Sequence, residues 1–212
     1  DCQRLVKAAF ADEAFRTEVN LGAVNSINWA RVMAQIVYYV TSHLAVSPDG
    51  APVSFAVPTG NFGNVFAGWA AQAMGLPVGR LIVASNRNDI LVRFLDQGAM
   101  VAADVVATSS PSMDIGVSSN FERLLFEATS RDGGACAATM AAFAADGEYR
   151  VLPEVHGTIT DYFDGVRVSE DEVDEEMAAW HRRGLLVDPH SAIGLRAAEA
   201  RRVPGVPIVA LA

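Results

Sequence analysis

The chain has 212 residues, 51% of them hydrophobic and 19% charged, a balance that fits a folded protein with a substantial core and argues against extended disorder. Its 25 acidic residues against 16 basic ones give a net charge of −9 with no basic cluster, which disfavours nucleic acid and anionic membrane surfaces as partners. No apolar run reaches membrane-spanning length, and Cys2 and Cys136 have neither metal-ligand spacing nor the density of a disulfide framework, so no metal site is expected and a reducing cytoplasm is the simplest setting.

Residues 1–15 read as one helix with Leu5, Val6, Ala9 and Phe10 on a common side. Lys7 lies off that stripe as a solvated helix lysine, and it is the only lysine, the other 15 bases being arginine. Residues 27–44 form a long helix that Asn25 or Ser26 would cap. Trp29, Val32, Met33, Ile36, Val40 and Leu44 recur at three- and four-residue spacing, with Val37 and Tyr39 widening the apolar face. The front edge, residues 25–31, is too polar for core and reads most simply as caps with a surface arginine.

After a turn at residues 47–50, the run Val-Ser-Phe-Ala-Val at 53–57 is a buried strand. It is followed by Pro58, Thr59, Gly60, Asn61, Phe62, Gly63 and Asn64, and then by a helix of small residues closed by Gly75 and Pro77. This is the layout of an anion cradle. Glycines let the backbone approach a ligand, and the unpaired N–H groups and positive dipole end of the helix face it. The loop has neither the Gly-Lys-Ser/Thr ending of a P-loop nor the dinucleotide fingerprint. By spacing alone, phosphate binding and a plain strand–turn–helix connection stay equally open.

Residues 80–85 are the next strand, so the strand–helix–strand unit predicts a right-handed crossover with parallel strands. Asn86 or Asn88 would cap a helix through Leu91, Phe94 and Leu95 that Gly98 ends. Residues 104–107 read as a third strand leading into a polar loop, 108–117. Ser119 and Glu122 have capping-box spacing before a helix at 121–128. Residues 131–154 are alanine-rich and helical around Met140 and Phe143, and 158–168 are strand-like. Ser169 and Glu172 repeat the capping-box spacing. The acidic run 170–176 then reads as a solvated helix face, because His181, Arg182 and Arg183 at the far end, before Gly184, suit the dipole. Asp188 and Pro189 start another helix as cap and first residue, with His190 as a neutral, structural histidine in its first turn. A last strand spans 206–212. The expected fold is one α/β domain over 1–212, an open, mainly parallel twisted sheet flanked by helices. Strands at Val53, Leu81, Val105 and Ile208 would share the sheet, with the loops at Gly60 and Thr108 on one edge.

The full loop, residues 58–64, resembles the phosphate loop of the threonine synthases, a family of fold-type II pyridoxal-phosphate (PLP) enzymes. Further segments resemble the family in the same order: Asn-Ser-Ile-Asn-Trp-Ala-Arg at 25–31, Asn-Arg-Asn-Asp-Ile-Leu at 86–91, Ser-Pro-Ser-Met-Asp-Ile at 110–115, Ser-Ser-Asn-Phe-Glu-Arg-Leu-Leu at 118–125 and Asp-Pro-His-Ser-Ala-Ile-Gly at 188–194. Together they span nearly the whole chain.

The resemblance implies a large-domain architecture with Gly60, Asn61, Phe62, Gly63 and Asn64 holding the phosphate of pyridoxal 5′-phosphate, and the Thr59 hydroxyl as a further donor. It implies a parent lyase of amino-acid biosynthesis that converts O-phospho-L-homoserine and water to L-threonine and phosphate. Ser26, Asn28, Arg31, Ser112 and Asp114 are the substrate-site candidates. Arg31, Arg87, Arg93 and Arg123 are the motif arginines that would meet an anionic substrate, Arg123 the poorest because of its place in an amphipathic helix. The family's Schiff-base lysine belongs to a segment upstream of Asp1, and the threonine facing the pyridine nitrogen follows Ala212. No catalytic residue is therefore expected in this chain, which reads as an internal segment with the rest of its own polypeptide as partner. Residues 131–184 read as a family-specific helical insertion. Oligomeric state has no sequence signal. The rivals are another fold-type II enzyme of the serine or threonine dehydratase kind, which would share the glycine loop but not the 110–115 and 188–190 segments, and a lysine-free, non-catalytic binding module.

Overall fold

A computed structural model describes residues 2–22 and 28–212, with the backbone alone for Cys2, Gln3, Arg4 and Lys7. The caps expected at Asn25 or Ser26, and Ser26 as a substrate-site candidate, lie outside the described residues.

The N-terminal segment is two helices rather than one, α1 (Cys2–Ala11) and α2 (Glu13–Glu18). Asp12 ends the first by capping the second, its Oδ1 accepting from the Phe15 N–H at 3.0 Å. Helix α3 (Trp29–Val46) is capped by Asn28, whose Oδ1 accepts from Ala30 N–H at 2.9 Å. Its buried face differs from the expected stripe. Val32, Tyr39 and His43 face the core, while Trp29, Met33, Val37 and Leu44 are exposed. The large aromatic and the histidine go inward because each finds a partner for its polar tip, Tyr39 Oη on Asn64 and His43 Nε2 on the Ala51 carbonyl.

Strand β1 (Val53–Pro58), helix α4 (Gly63–Ala73) and strand β2 (Val78–Ser85) form the expected parallel crossover, with Phe55 opposite Leu81 and Val57 opposite Val83. Helix α4 lies unusually close to its neighbours. A Cβ on Gly68 would stand 2.5 Å from Tyr39 Cε1 and 2.7 Å from Leu81 Cδ2, so only glycine admits α3 and β2 at this approach. Helix α5 (Ile90–Gln97) follows, ended by Gly98 in the left-handed region. Neither Asn86 nor Asn88 caps it. Asp89 is its N-cap, and both asparagine side chains turn to the 106–114 loop instead.

The strand expected at 104–107 does not form. The chain makes a short β3 (Ala99–Val101), paired antiparallel with β4 (Glu148–Arg150) in a separate two-stranded sheet. Residues 104–107 run exposed and irregular because Asn88 supplants a neighbouring strand: its Nδ2 donates to the Val106 carbonyl and its Oδ1 accepts from the Val106 N–H. The Ser119–Glu122 capping box is also absent. Helix α6 (Phe121–Ala128) has Asn120 as N-cap, and the Ser119 hydroxyl donates to Asn61 Oδ1.

Helix α7 (Gly133–Asp146) precedes β4, and helix α8 (Pro153–Thr160) takes up the start of the strand-like stretch, leaving β5 (Phe163–Arg167). Helix α9 (Glu170–Arg182) carries the expected capping box on Ser169 and Glu172, and α10 (Pro189–Ala200) the expected Asp188 cap. The last strand is β6 (Ile208–Ala210).

The main sheet is fully parallel in the order β5-β2-β1-β6, so β5 takes a place beside β2 in the sheet where the strand at Val105 was expected to contribute. Arg80 secures that edge: its Nε and Nη2 donate to the two Asp164 oxygens at 2.9 and 2.7 Å, and further N–H groups reach the carbonyls of Thr160, Asp161 and Phe163. Helices cover both faces. Phe55, Val57, Leu81 and Val83 pack under α3, α4 and α5, while Ala56, Ile82 and Ala84 pack under α9 and α10. Each fully buried Leu, Ile, Val or Phe side chain in these layers contributes about 1.5–3 kcal/mol of hydrophobic free energy. The parallel order puts the carboxyl ends of all four strands on one edge, where ligands of open α/β sheets bind.

Candidate functional site

The loop after β1 stands at that edge, and its shape is set from three sides. Phe62 has φ +62°, left-handed and costly for a side chain other than glycine, yet its ring is fully buried. It packs edge-on to Phe121 at 5.0 Å and against Phe163 at 5.5 Å, and Phe121 in turn meets Phe94 at 4.7 Å. Aromatic contacts of this kind contribute about 0.5–1.5 kcal/mol each beyond burial, enough to hold the strained turn.

The carbonyls of the loop are drawn to one side. Ser118 Oγ donates to the Gly60 carbonyl at 2.9 Å, and Asn120 donates to the Asn61 carbonyl from Nδ2 at 3.0 Å and from its own N–H at 3.2 Å. The Phe62 carbonyl accepts the helical bond from Phe66 N–H. In trans peptides the N–H points opposite to the preceding carbonyl. The N–H groups of Asn61 and Phe62 therefore turn away from residues 118–120, and that of Gly63, opposite the helical Phe62 carbonyl, points out of the start of α4. Among the described residues, no acceptor meets the N–H of Phe62 or Gly63. The loop borders a cavity of about 160 Å³, which residues 58–64 line together with Arg31 and Gln35.

Arg31 reaches this cavity because α3 begins beside it, capped by Asn28. Its guanidinium makes no ion pair with any described carboxylate. Asn64 is otherwise occupied: Tyr39 Oη donates to its carbonyl at 2.8 Å and lies 3.2 Å from its Oδ1. Thr59 Oγ1 donates to the Val57 carbonyl, so that hydroxyl is turned into the strand.

The second polar loop is a neighbour, as expected. A Cβ on Gly60 would stand 3.0 Å from the Ser112 carbonyl oxygen and 3.3 Å from Met113 Cα, so the 110–115 loop lies directly on Gly60. Ser112 N–H donates to His190 Nε2 at 3.3 Å, and His190 Nδ1 lies 3.0 Å from Asp188 Oδ1. Nε2 is thus the acceptor and Nδ1 carries the proton, which is the neutral tautomer. Asp188 also accepts from Ser191 Oγ and from the N–H groups of His190 and Ser191, and this set, led by the Ser191 bond, lowers its pKa to about 2.

Asp114 is turned inward. Its Oδ1 accepts from Asn86, Asn88 and the Thr108 hydroxyl at 2.6–2.9 Å, and its Oδ2 from Thr108 N–H at 2.9 Å. The carboxylate holds the 106–114 loop to the end of β2. The structure thus brings Gly60, Asn61, Phe62, Gly63, Asn64 and Arg31 to one cavity, lays Ser112 against it, and gives Asp114 a bracing role. Of the other motif arginines, Arg93 is paired with Asp89, Arg123 stacks over the Trp29 ring at 5.5 Å, and Arg87 lines a separate recess of about 30 Å³. Tyr39, read only as part of an apolar helix face, and Asn120, read only within the 118–125 segment, have bonding roles here that the sequence did not show, because their partners lie 25 and 59 positions away. No helix among the described residues is long and apolar enough to cross a membrane, and they hold no cluster of metal ligands.

No family model matches the sequence. A threonine synthase of Pseudomonas aeruginosa is 51% identical over 213 aligned residues, which take in the whole chain and 45% of that protein. Among solved structures, a PLP-bound threonine synthase from Brucella melitensis superposes with a TM-score of 0.95 at 46% identity, over all of this chain and 46% of that one. The yeast threonine synthase superposes with a TM-score of 0.91 at 38% identity, over 99% of this chain and 45% of that one. The chain therefore spans about half the length of the relatives it matches.

Proposed function

The chain is a homologue of the threonine synthases over its whole length, within the fold-type II PLP enzymes, and on that premise we propose that the cavity at residues 58–64 holds the phosphate of pyridoxal 5′-phosphate. The observation that carries this reading is the pair of successive N–H groups on Phe62 and Gly63 that no described acceptor meets, at the positive end of α4. The cavity, at about 160 Å³, has several times the volume of a water molecule's share of the liquid, which suits a phosphate group.

The protein that carries this chain is, in this reading, a cytoplasmic lyase that takes O-phospho-L-homoserine and water to L-threonine and phosphate. Bound PLP supplies an electron sink for the substrate carbons near the amino group. What these residues contribute is anchoring and shape. The loop N–H groups hold the phosphate by charge-assisted hydrogen bonds, and Arg31 adds a cation at the same cavity for an anionic group. Asn86, Asn88 and Thr108 fix Asp114 so that the 110–115 loop covers Gly60.

Two measurements test this. Titrating the native polypeptide with PLP is expected to give saturable binding that inorganic phosphate competes away, and that Arg31→Gln weakens. Supplying O-phospho-L-homoserine is expected to release threonine and phosphate in equal amounts. Saturable PLP binding with no phosphate release would leave the cofactor site and remove the reaction.

A further inference from the structure

The start of α10 meets the loop that covers the cradle by apolar packing, Met113 sharing a buried cluster with Ala192 and Ile193, and by one polar side chain. Ser112 N–H donates to His190 Nε2 at 3.3 Å, and its carbonyl oxygen lies close over Gly60, 3.0 Å from where a Cβ there would be. His190 is itself fixed, because Asp188 takes its backbone N–H at 2.8 Å and lies 3.0 Å from its Nδ1. Asp188 is locked in turn by the Ser191 hydroxyl at 2.7 Å. The rest of the covering loop is tied elsewhere, Asp114 to Asn86 and Asn88 on the β2 side, and Ser109 N–H to Glu170 at the start of α9. Those bonds hold the base of the loop; at its tip Met113 is packed into the core, and His190 supplies the hydrogen bond that sets its register.

We propose that His190 is a positioning residue that, through Ser112, sets how closely the 110–115 loop lies on Gly60 and so fixes the shape of the phosphate cradle. Its effect on a ligand rests on the PLP reading above; its effect on the loop does not. The role needs two functions from one ring, a donor on Nδ1 toward Asp188 and an acceptor on Nε2 toward Ser112, and neutral imidazole supplies both. Asparagine and glutamine separate them. Asparagine can still donate to Asp188 but is too short to reach Ser112. Glutamine places its carbonyl oxygen near the Nε2 position and can accept from the Ser112 N–H. Neither substitution disturbs the Asp188 cap, whose other partners are main-chain N–H groups and Ser191.

The test is amide hydrogen exchange over residues 110–115 in the native polypeptide, for wild type, His190→Asn and His190→Gln, beside PLP affinity by absorbance titration and a thermal melt. Expected are exchange about five-fold faster and PLP binding about five-fold weaker in His190→Asn, the factor corresponding to one ordinary hydrogen bond. His190→Gln should restore both, with melting midpoints alike. Wild-type exchange in His190→Asn overturns the proposal. So does equal impairment of the two variants, which marks a packing role for the ring. An exchange contrast with unchanged PLP affinity overturns the link to the cradle. A wild type that binds no PLP sinks the cofactor reading alone and leaves the exchange contrast to decide whether His190 holds the loop.

Discussion

The hydroxyl of Tyr39 on α3 donates to the carbonyl of Asn64 in the first turn of α4, 2.8 Å away and 25 residues on in sequence. Both helices begin at the candidate cradle, so this bond sets the angle at which Arg31 and the loop face each other. Burial raises the Tyr39 pKa well above the ordinary phenol value, so the hydroxyl stays a donor across the working range.

Tyr39→Phe removes the donor and leaves the ring in place. Stability in urea is expected to fall by about 1–2 kcal/mol, the cost of one buried bond and a partly unsatisfied acceptor. An unchanged unfolding midpoint would show that the two helices are aligned by packing at Gly68 alone.

Gly63→Val places a branched side chain at the cradle's helix start. PLP affinity is expected to fall further than folding stability, because charge-assisted bonds to a phosphate contribute roughly 1.5–3 kcal/mol each. Equilibrium dialysis with PLP, alongside a thermal melt, separates the two. Wild-type affinity in a folded variant would remove the loop from the site.

The sequence announces β1, its loop and α10 plainly. Val-Ser-Phe-Ala-Val is an uninterrupted buried run, and Asp188-Pro189 is a local start signal whose cap bonds span two or three residues. What it hides is long-range. The apolar run near Val105 has strand composition, yet Asn88, 18 positions earlier, takes both of Val106's backbone groups. β5 falls within the stretch read as strand-like, but its place beside β2 was hidden, because it depends on Arg80 of that strand pairing with Asp164, 84 positions on. The loop after β1 was legible as a pattern of glycines between a strand and a helix. The direction of its N–H groups was not, because Ser118 and Asn120 impose it from 58 and 59 residues away.

Asp188 gives a pH signature. The Ser191 hydroxyl bond and the helix N–H groups hold its carboxyl at about 2, below the unfolded value of about 3.9. A depressed acid stabilises fully above the unfolded value and loses its contribution as pH falls toward the folded one. Asp188→Ala is therefore expected to cost about 1 kcal/mol at neutral pH. That deficit should shrink as pH is lowered from about 4 to about 2. A deficit constant over this window would assign the loss to the side chain's packing instead.

Lys7 is the sole lysine and sits in α1, whose main neighbour is α2. The 212-residue chain, treated with PLP and borohydride, is expected to show no stoichiometric adduct at Lys7 and no threonine formation. A full-occupancy adduct there, lost in Gly63→Val and accompanied by turnover, would make Lys7 the catalytic lysine.

Phe62 joins two things that proteins often keep apart, a left-handed backbone at the lip of the cradle and a ring sunk among Phe121 and Phe163. The lip's shape thus leans on α6 and β5, whose rings help to offset the strained turn. On the proposed PLP reading, cofactor uptake would then report on the packing of the hydrophobic interior, and a poorly packed core would weaken binding before the helices were lost. The loop's geometry rests on a ring at residue 163, about a hundred positions further along the chain.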